Sequence, residues 1–301
     1  DKTIEVLNGL GTNYLNPMYS GGEPVGFIGI ISQLAWALGY FGMPHILVRF
    51  MAIRDEREVR KSRKVAIVWV VLSLSIACFL GIIGRAFFVD APISNSENVF
   101  IEMIGKIFTD YFGIPFVGGL LLCGILAAIM STADSQLLVT ASSISEDVYK
   151  GVIFKKASEK SMLLVSRITV LVVSVIAFII ALDPNSSVMG LVSNAWAGFG
   201  ATFGPVVLLG LFWRRANRAG AACGMICGGL TVIVWDYISF GSTTLAGYTG
   251  LYSLVPGFLV GIVLLILVSL LTKAPSAEIL QEFDDVSSSR GVEIETPQVT
   301  E

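Results

Sequence analysis

Charge is scarce in this sequence: Asp, Glu, Lys and Arg make up 14% of its 301 residues, where a soluble domain carries about a quarter. A chain this poor in charge, 54% hydrophobic with a mean hydropathy of +0.77, is expected to have lipid as its solvent. Histidine is nearly absent. His45 is the only one, which excludes a histidine-based catalytic triad and a multi-histidine metal centre. Cys78, Cys123, Cys223 and Cys227 all lie in apolar stretches, so neither a disulfide framework nor a zinc site is expected. Cys223 and Cys227 share a helix face with no His or acidic partner nearby, and read as small packing residues. No phosphate-cradling loop appears, nothing in the composition points to nucleic acid, and the chain does not read as an enzyme. Residue 1 is Asp, with no signal-peptide pattern after it, so the chain is expected to start partway through a longer protein.

What the sequence does have is long apolar runs. Residues 65–88 and 166–182 are nearly uncharged, close to the 20 or so residues a helix needs to cross a bilayer core. Hydropathy, with breaks at charged and Gly/Pro-rich segments, predicts about seven spans near 24–50, 65–89, 115–135, 161–182, 188–213, 219–240 and 251–271. The expectation is an all-α polytopic membrane domain over residues 1–272, followed by an acidic tail, 273–301, that is solvated and disordered.

Basic residues set the orientation. Arg49, Arg54, Arg57, Arg60, Lys61, Arg63 and Lys64 crowd the loop after the first span. Lys150, Lys155, Lys156 and Lys160 follow the third, and Arg214, Arg215 and Arg218 the fifth. Alternate loops are thus basic and cytoplasmic by the positive-inside rule, with Lys106 the clear exception on the other side. The chain's N-terminus is then external and its tail cytoplasmic. On the external side, residues 99–111 alternate apolar and charged positions at helical spacing; they read equally as an interfacial anchor and as a lid over a cavity.

Polar or irregular segments inside spans are costly and so mark candidate sites. In the first, Gln33, Trp36, Gly39, Tyr40, Gly42 and Pro44 occur within one span. The glycines weaken the helix, and Pro44, without an N–H, leaves the Tyr40 carbonyl unpartnered, so a break is expected. Broken helices are where transporters place substrate. Trp36, Tyr40 and Pro44, at four-residue spacing, would project to one side as a compact apolar pocket; the alternative is an aromatic stripe packed on a neighbouring helix. In the second segment, the Ala128 carbonyl and the hydroxyls of Ser131 and Thr132 offer neutral oxygens to a small hard cation, with Asp134 close by. The alternative is that the hydroxyls bond back to the preceding turn. The cluster is expected at the inner end of its span. The third, 191–205, is rich in small residues that allow close helix approach; Pro205 frees the Ala201 carbonyl, and Asn194 is a secondary candidate for lining a cavity.

At these same segments the sequence resembles the sodium/solute symporter family, and within it the proline branch. The matching stretches are residues 36–52 (WALGYFGMPHILVRFMA), 130–138 (MSTADSQLL), 145–150 (SEDVYK), 195–208 (AWAGFGATFGPVVL) and 273–276 (KAPS). The resemblance implies a leucine-transporter-type inverted-repeat bundle, the first five spans here forming the second repeat and the last two lying at the periphery. It implies a proline site lined by Trp36, Tyr40 and Pro44, and a co-transported sodium ion at Ala128, Ser131 and Thr132. Gln33, Asp134 and Asn194 stay secondary candidates. It further implies sodium-coupled uptake by alternating access in the bacterial inner membrane, with missing N-terminal helices of the same protein completing both sites. Met43 stands where proline carriers usually have Gln, and Asp134 where some relatives have Ser, which bear on substrate choice and cation coupling. Rival expectations are symport of another small solute, such as a different amino acid or a carboxylate, and a solute-sensing domain. The latter would call for a signalling module after the last span, where this tail is short and acidic. A channel would show a continuous polar stripe, which is not evident.

Overall fold

The computed structural model describes residues 2–9, 13–183 and 187–289. In chain order they form α1 (Lys2–Gly9), a hairpin of β1 (Tyr19–Ser20) and β2 (Glu23–Pro24), α2 (Phe27–Leu34), α3 (Trp36–Gly39), a tight turn at Tyr40–Gly42, α4 (Pro44–Met51) and α5 (Glu56–Phe87). Next come α6 (Val99–Ile104), widening into π-type turns at Gly105–Tyr111, then α7 (Pro115–Ser142), widening likewise at Ser143–Ile153, and α8 (Glu159–Ala181). The remainder is α9 (Val188–Phe212), α10 (Arg218–Tyr237), a hairpin of β3 (Ser239–Phe240) and β4 (Thr243–Thr244), α11 (Leu245–Thr249), α12 (Leu254–Leu271) and α13 (Ala277–Ser289). The protein is an all-α polytopic membrane protein. Among the described residues six helices are long and apolar enough to cross a bilayer, and the interrupted segment of α2 to α4 makes a seventh if counted as one span.

The chain divides into two units, residues 1–25 with 44–188, and residues 26–43 with 189–301. In the first, the apolar windows of α5 and α8 contain no buried residue at all. Helices this apolar and this uncovered have no place in water, so lipid or further protein must cover them. Where helices of this unit do meet, small residues are at the contact. Gly84 of α5 lies against Val99 and Met103 of α6, and Gly118 of α7 against Phe108. The expected amphipathic segment 99–111 is helical throughout, with Met103 and Ile104 buried. Ser166 of α8 donates to Ser145 beyond α7 at 2.9 Å.

The second unit holds a core of Ala197, Ala201, Val232, Leu254 and Phe258. Its densest contact is between α10 and α12, where Gly220, Gly224 and Gly228 recur every fourth residue and make a trough along one face. An added Cβ at Gly224 would lie 2.8 Å from the Gly261 carbonyl oxygen, and one at Gly228 would overlap the Ala201 carbonyl. That carbonyl is the one deprived of its helical donor by Pro205, inside α9. It lies where an added Cβ on Gly228 would overlap it and 3.2 Å from where a Cβ would stand on Gly261. The expectation of a packing role for this segment holds.

Three expected boundaries move. The second span begins as helix at Glu56 rather than near 65, so much of the first basic loop is helical. Hydropathy marks where a helix leaves the apolar layer, and not where its backbone hydrogen bonds stop. For the same reason α7 runs unbroken past 135 to Ser142 and on to Ile153. The Ala128–Ser131–Thr132 cluster sits midway along this continuous helical segment. The acidic tail is not irregular at its start: Ala277–Ser289 is helical, with Arg214 clasping Asp284 in a two-pronged pair at 2.8 and 2.7 Å. Residues 290–301 lie outside the described residues.

Candidate functional site

The break expected in the first span is present and lies one residue before the proline. Ala35 to Tyr40 keep helical backbone angles, Met43 is extended (φ −81°, ψ 113°), and helix resumes at Pro44. Proline disfavours helical backbone in the residue before it, and Gly39 and Gly42 lower the helix propensity just upstream. Both glycines also have a steric role. Gly39 lies against the Trp196 indole, and Gly42 against the backbone of Phe199 and Gly200. Any Cβ there would collide, so the broken segment reaches α9 at backbone distance.

That approach assembles an aromatic wall. The Trp36 ring stacks on Trp196 (centroids 5.9 Å, interplanar angle 27°) and on Tyr252 (5.8 Å, 15°), while Tyr40 meets Trp196 edge-on at 4.8 Å. Hydrogen bonds lock it. The Trp196 indole N–H donates to the Trp36 carbonyl at 2.9 Å. The Tyr252 hydroxyl donates to the Ser193 carbonyl at 2.7 Å, and its backbone N–H donates to the Ser32 hydroxyl at 3.0 Å. Each aromatic pair contributes about 0.5–1.5 kcal/mol beyond area burial, enough in sum to hold Trp36 in one rotamer. Tyr40 nevertheless remains 55% exposed, so the wall keeps an open aromatic face.

Trp36 and Tyr40 thus share one wall. Pro44 belongs to the other unit and is half-buried at the start of α4. Two wall residues were missed as site members. Trp196 stands in the small-residue segment and was given a packing role. Tyr252 carries no motif, and only its position after the Gly250 turn, where φ is +65°, hints that the chain is being aimed there. Gln33 is exposed, next to Ser32. Asn194 is exposed at a cleft of about 290 Å³ that it lines with Ser32, Ser193, Asp236, Tyr252 and Ser253. There the Ser253 hydroxyl donates to Asp236 at 2.6 Å, a buried serine and an acidic residue that sequence reading passed over.

On α7 the second cluster adopts the back-bonded geometry. Thr132 Oγ1 donates to the Ala128 carbonyl at 3.2 Å, and Ser135 Oγ donates to the Ser131 carbonyl at 3.0 Å. Ala128, Ser131, Thr132 and Asp134 are all exposed, so the oxygens are open to a further element. No group of three or more metal-ligating His, Cys, Asp or Glu side chains occurs among the described residues.

Against known proteins, the family model described as Sodium:solute symporter family matches residues 18–228. The Sodium/proline symporter of Escherichia coli (strain K12) is 45% identical over 268 residues, covering 87% of this chain and 51% of that protein. The High-affinity proline transporter PutP of Bacillus subtilis (strain 168) is 44% identical, with 86% and 52% covered, and the Osmoregulated proline transporter OpuE of the same organism is 44% identical, with 83% and 49% covered. The chain therefore spans about half the length of the curated relatives it matches. Comparison with solved structures returns no significant match. An interrupted helix with an open aromatic wall, a hydroxyl-bearing apolar helix and identity of this extent agree: the chain belongs to the Sodium:solute symporter family.

Proposed function

We propose that this chain is part of a secondary transporter that couples uptake of L-proline to sodium entry by alternating access. Its first five spans would form the second of two inverted repeats, the first repeat being supplied by further helices of the same protein. The observation that carries the reading is the aromatic wall beside the helix break. Proline presents an apolar ring and a secondary ammonium, and stacked indole and phenol faces suit both, the ring by contact and the cation by the negative π-face. Trp36 and Tyr40 are the substrate-facing residues in this reading, with Gln33 and Asn194 at the margin, and Pro44 is a third substrate-binding candidate.

Sodium is assigned to Ala128, Ser131 and Thr132, with Asp134 one turn away. The Thr132 hydroxyl and Ala128 carbonyl oxygens are 3.2 Å apart. At contacts of roughly 2.4 Å, the hard-cation range, two such oxygens subtend roughly 85° at the ion, close to the octahedral right angle. The hydroxyl proton need only rotate away for both oxygens to face a cation. Sodium bound there stabilises an outward-open state and raises affinity for proline, and closure then opens both sites to the cytoplasm. One charge crossing 100 mV releases about 2.3 kcal/mol, and a tenfold sodium gradient adds about 1.4 kcal/mol. Together they sustain roughly several-hundred-fold accumulation of a neutral solute at one-to-one stoichiometry.

The deciding experiment is uptake of labelled proline by the full-length protein in sealed vesicles, with sodium or potassium outside and unlabelled amino acids or carboxylates as competitors. Sodium-dependent uptake resisted by no competitor except proline is the expected result. Equal uptake in potassium removes the coupling, and stronger competition by another solute reassigns the substrate.

A further inference from the structure

The second unit carries a groove of about 810 Å³ that none of the transport reading uses. Its floor is apolar, built from Val206 and Gly210 of α9, Ala222 of α10, Leu265 of α12 and Ile279 of α13, and its mouth holds Arg218 and Lys273. These two cations differ from their neighbours. Arg214 is committed to Asp284, and Arg215 donates to the Thr272 carbonyl at 2.7 Å through one terminal nitrogen while its other is buried without a partner. Arg218 and Lys273 are exposed and, among the described residues, have no ion-pair partner. Arg218 also opens the first turn of α10, a 20-residue helix whose N-terminal end adds partial positive charge. Ser276 adds a hydroxyl to the lining, while the Thr272 hydroxyl is committed, donating to the Val268 carbonyl at 2.6 Å and accepting from the Asn217 amide.

We propose that this groove binds an anionic phospholipid of the cytoplasmic leaflet, its acyl chain along the apolar floor and its phosphate at Arg218 and Lys273. The orientation comes from the basic loops, which put this end of α9, α10 and α12 on the cytoplasmic side. Basic pockets between spans on that side suit lipid headgroups. An aqueous anion would meet the cations but leave the apolar floor wet; a chain-bearing anion satisfies both. The inference rests on that orientation and not on the identity of the transported solute.

The test reads lipid rather than transport. Full-length protein is purified from nanodiscs of equimolar phosphatidylglycerol and phosphatidylcholine, and the retained lipid is quantified by native mass spectrometry. About fivefold per basic residue gives an expected preference for phosphatidylglycerol of roughly 25-fold. The double variant Arg218→Gln/Lys273→Gln retains lipid without preference. Gly210→Leu fills the floor, since nothing lies within 4 Å of a Cβ at that position, and it displaces both lipids while the thermal melt is unchanged. Equal retention of the two lipids by the unmodified protein overturns the proposal. So does a Gly210→Leu protein that keeps its phosphatidylglycerol.

Discussion

The Thr132 hydroxyl donates to the Ala128 carbonyl at 3.2 Å, and two substitutions separate a structural bond from an ion ligand. Thr132→Ser keeps the oxygen, and Thr132→Val keeps the shape and removes it. With a sodium role, the serine variant transports with near-normal sodium dependence, while the valine variant needs at least about tenfold more sodium for half-maximal uptake, the equivalent of one charge-assisted contact of about 1.5 kcal/mol. If the bond only stiffens the helix, both variants show the unmodified sodium dependence. Tyr252 is the second residue to test. Tyr252→Phe loses the donor to the Ser193 carbonyl but keeps the stack on Trp36, whereas Tyr252→Leu loses both. Proline affinity is expected to fall a few-fold in the first and more than about tenfold in the second, measured by equilibrium binding. Unchanged affinity in Tyr252→Leu would remove the wall from the site. The sequence made Trp36 and Tyr40 visible through their spacing around a helix break. It could not make Tyr252 visible, because nothing near residue 252 encodes what residue 36 will touch.

At the level of elements, the pairing of α10 with α12 depends on glycine faces. Gly224→Val places branched carbon where the Gly261 carbonyl oxygen already sits; overpacking of this kind costs about 1–3 kcal/mol. The expected readout is a lower melting temperature of the detergent-solubilised protein. Gly119→Ala, where an added Cβ meets nothing within 4 Å, leaves it unchanged or higher. The docking of α13 is a second element-level property. The bond and charge from Arg214 hold the Asp284 carboxyl below its ordinary range. A depressed carboxyl contributes to docking above its free-chain pKa and loses that contribution as pH falls through the lower, paired value. The pair is exposed on both sides, so salt acts on it as well: the screening length falls to about 3 Å at 1 M. The protection of amides 277–289, taken relative to the intrinsic exchange rate at each pH, is therefore expected to fall in high salt and at acidic pH. An Asp284→Asn protein should show that low protection under all these conditions. The helicity of 277–289 was not legible in advance, since net acidity reads as solvation and hides the partner cation in another loop.

For the whole molecule, the prediction is topological. In a cysteine-free background, single cysteines at Ala157 and Ser276 are expected to react with an impermeant thiol reagent only from the cytoplasmic side, and one at Thr243 only from outside. Reversed labelling would invert the orientation and take the lipid proposal with it. Hydropathy and basic loops carry this prediction because the bilayer acts on stretches of neighbouring residues: low charge points to the solvent, run length to the spans, and Arg and Lys to the expected sides. Pro44 with its glycines fixed where the first span breaks, and Ser131 and Thr132 placed hydroxyls in an apolar helix. All of this is local chemistry. Only the tertiary structure decided that Trp196, 160 positions from Trp36, donates to its carbonyl, and that Tyr252 stacks beside it. Contacts between distant segments arise from the packing of whole faces, and no window of neighbouring residues contains that information.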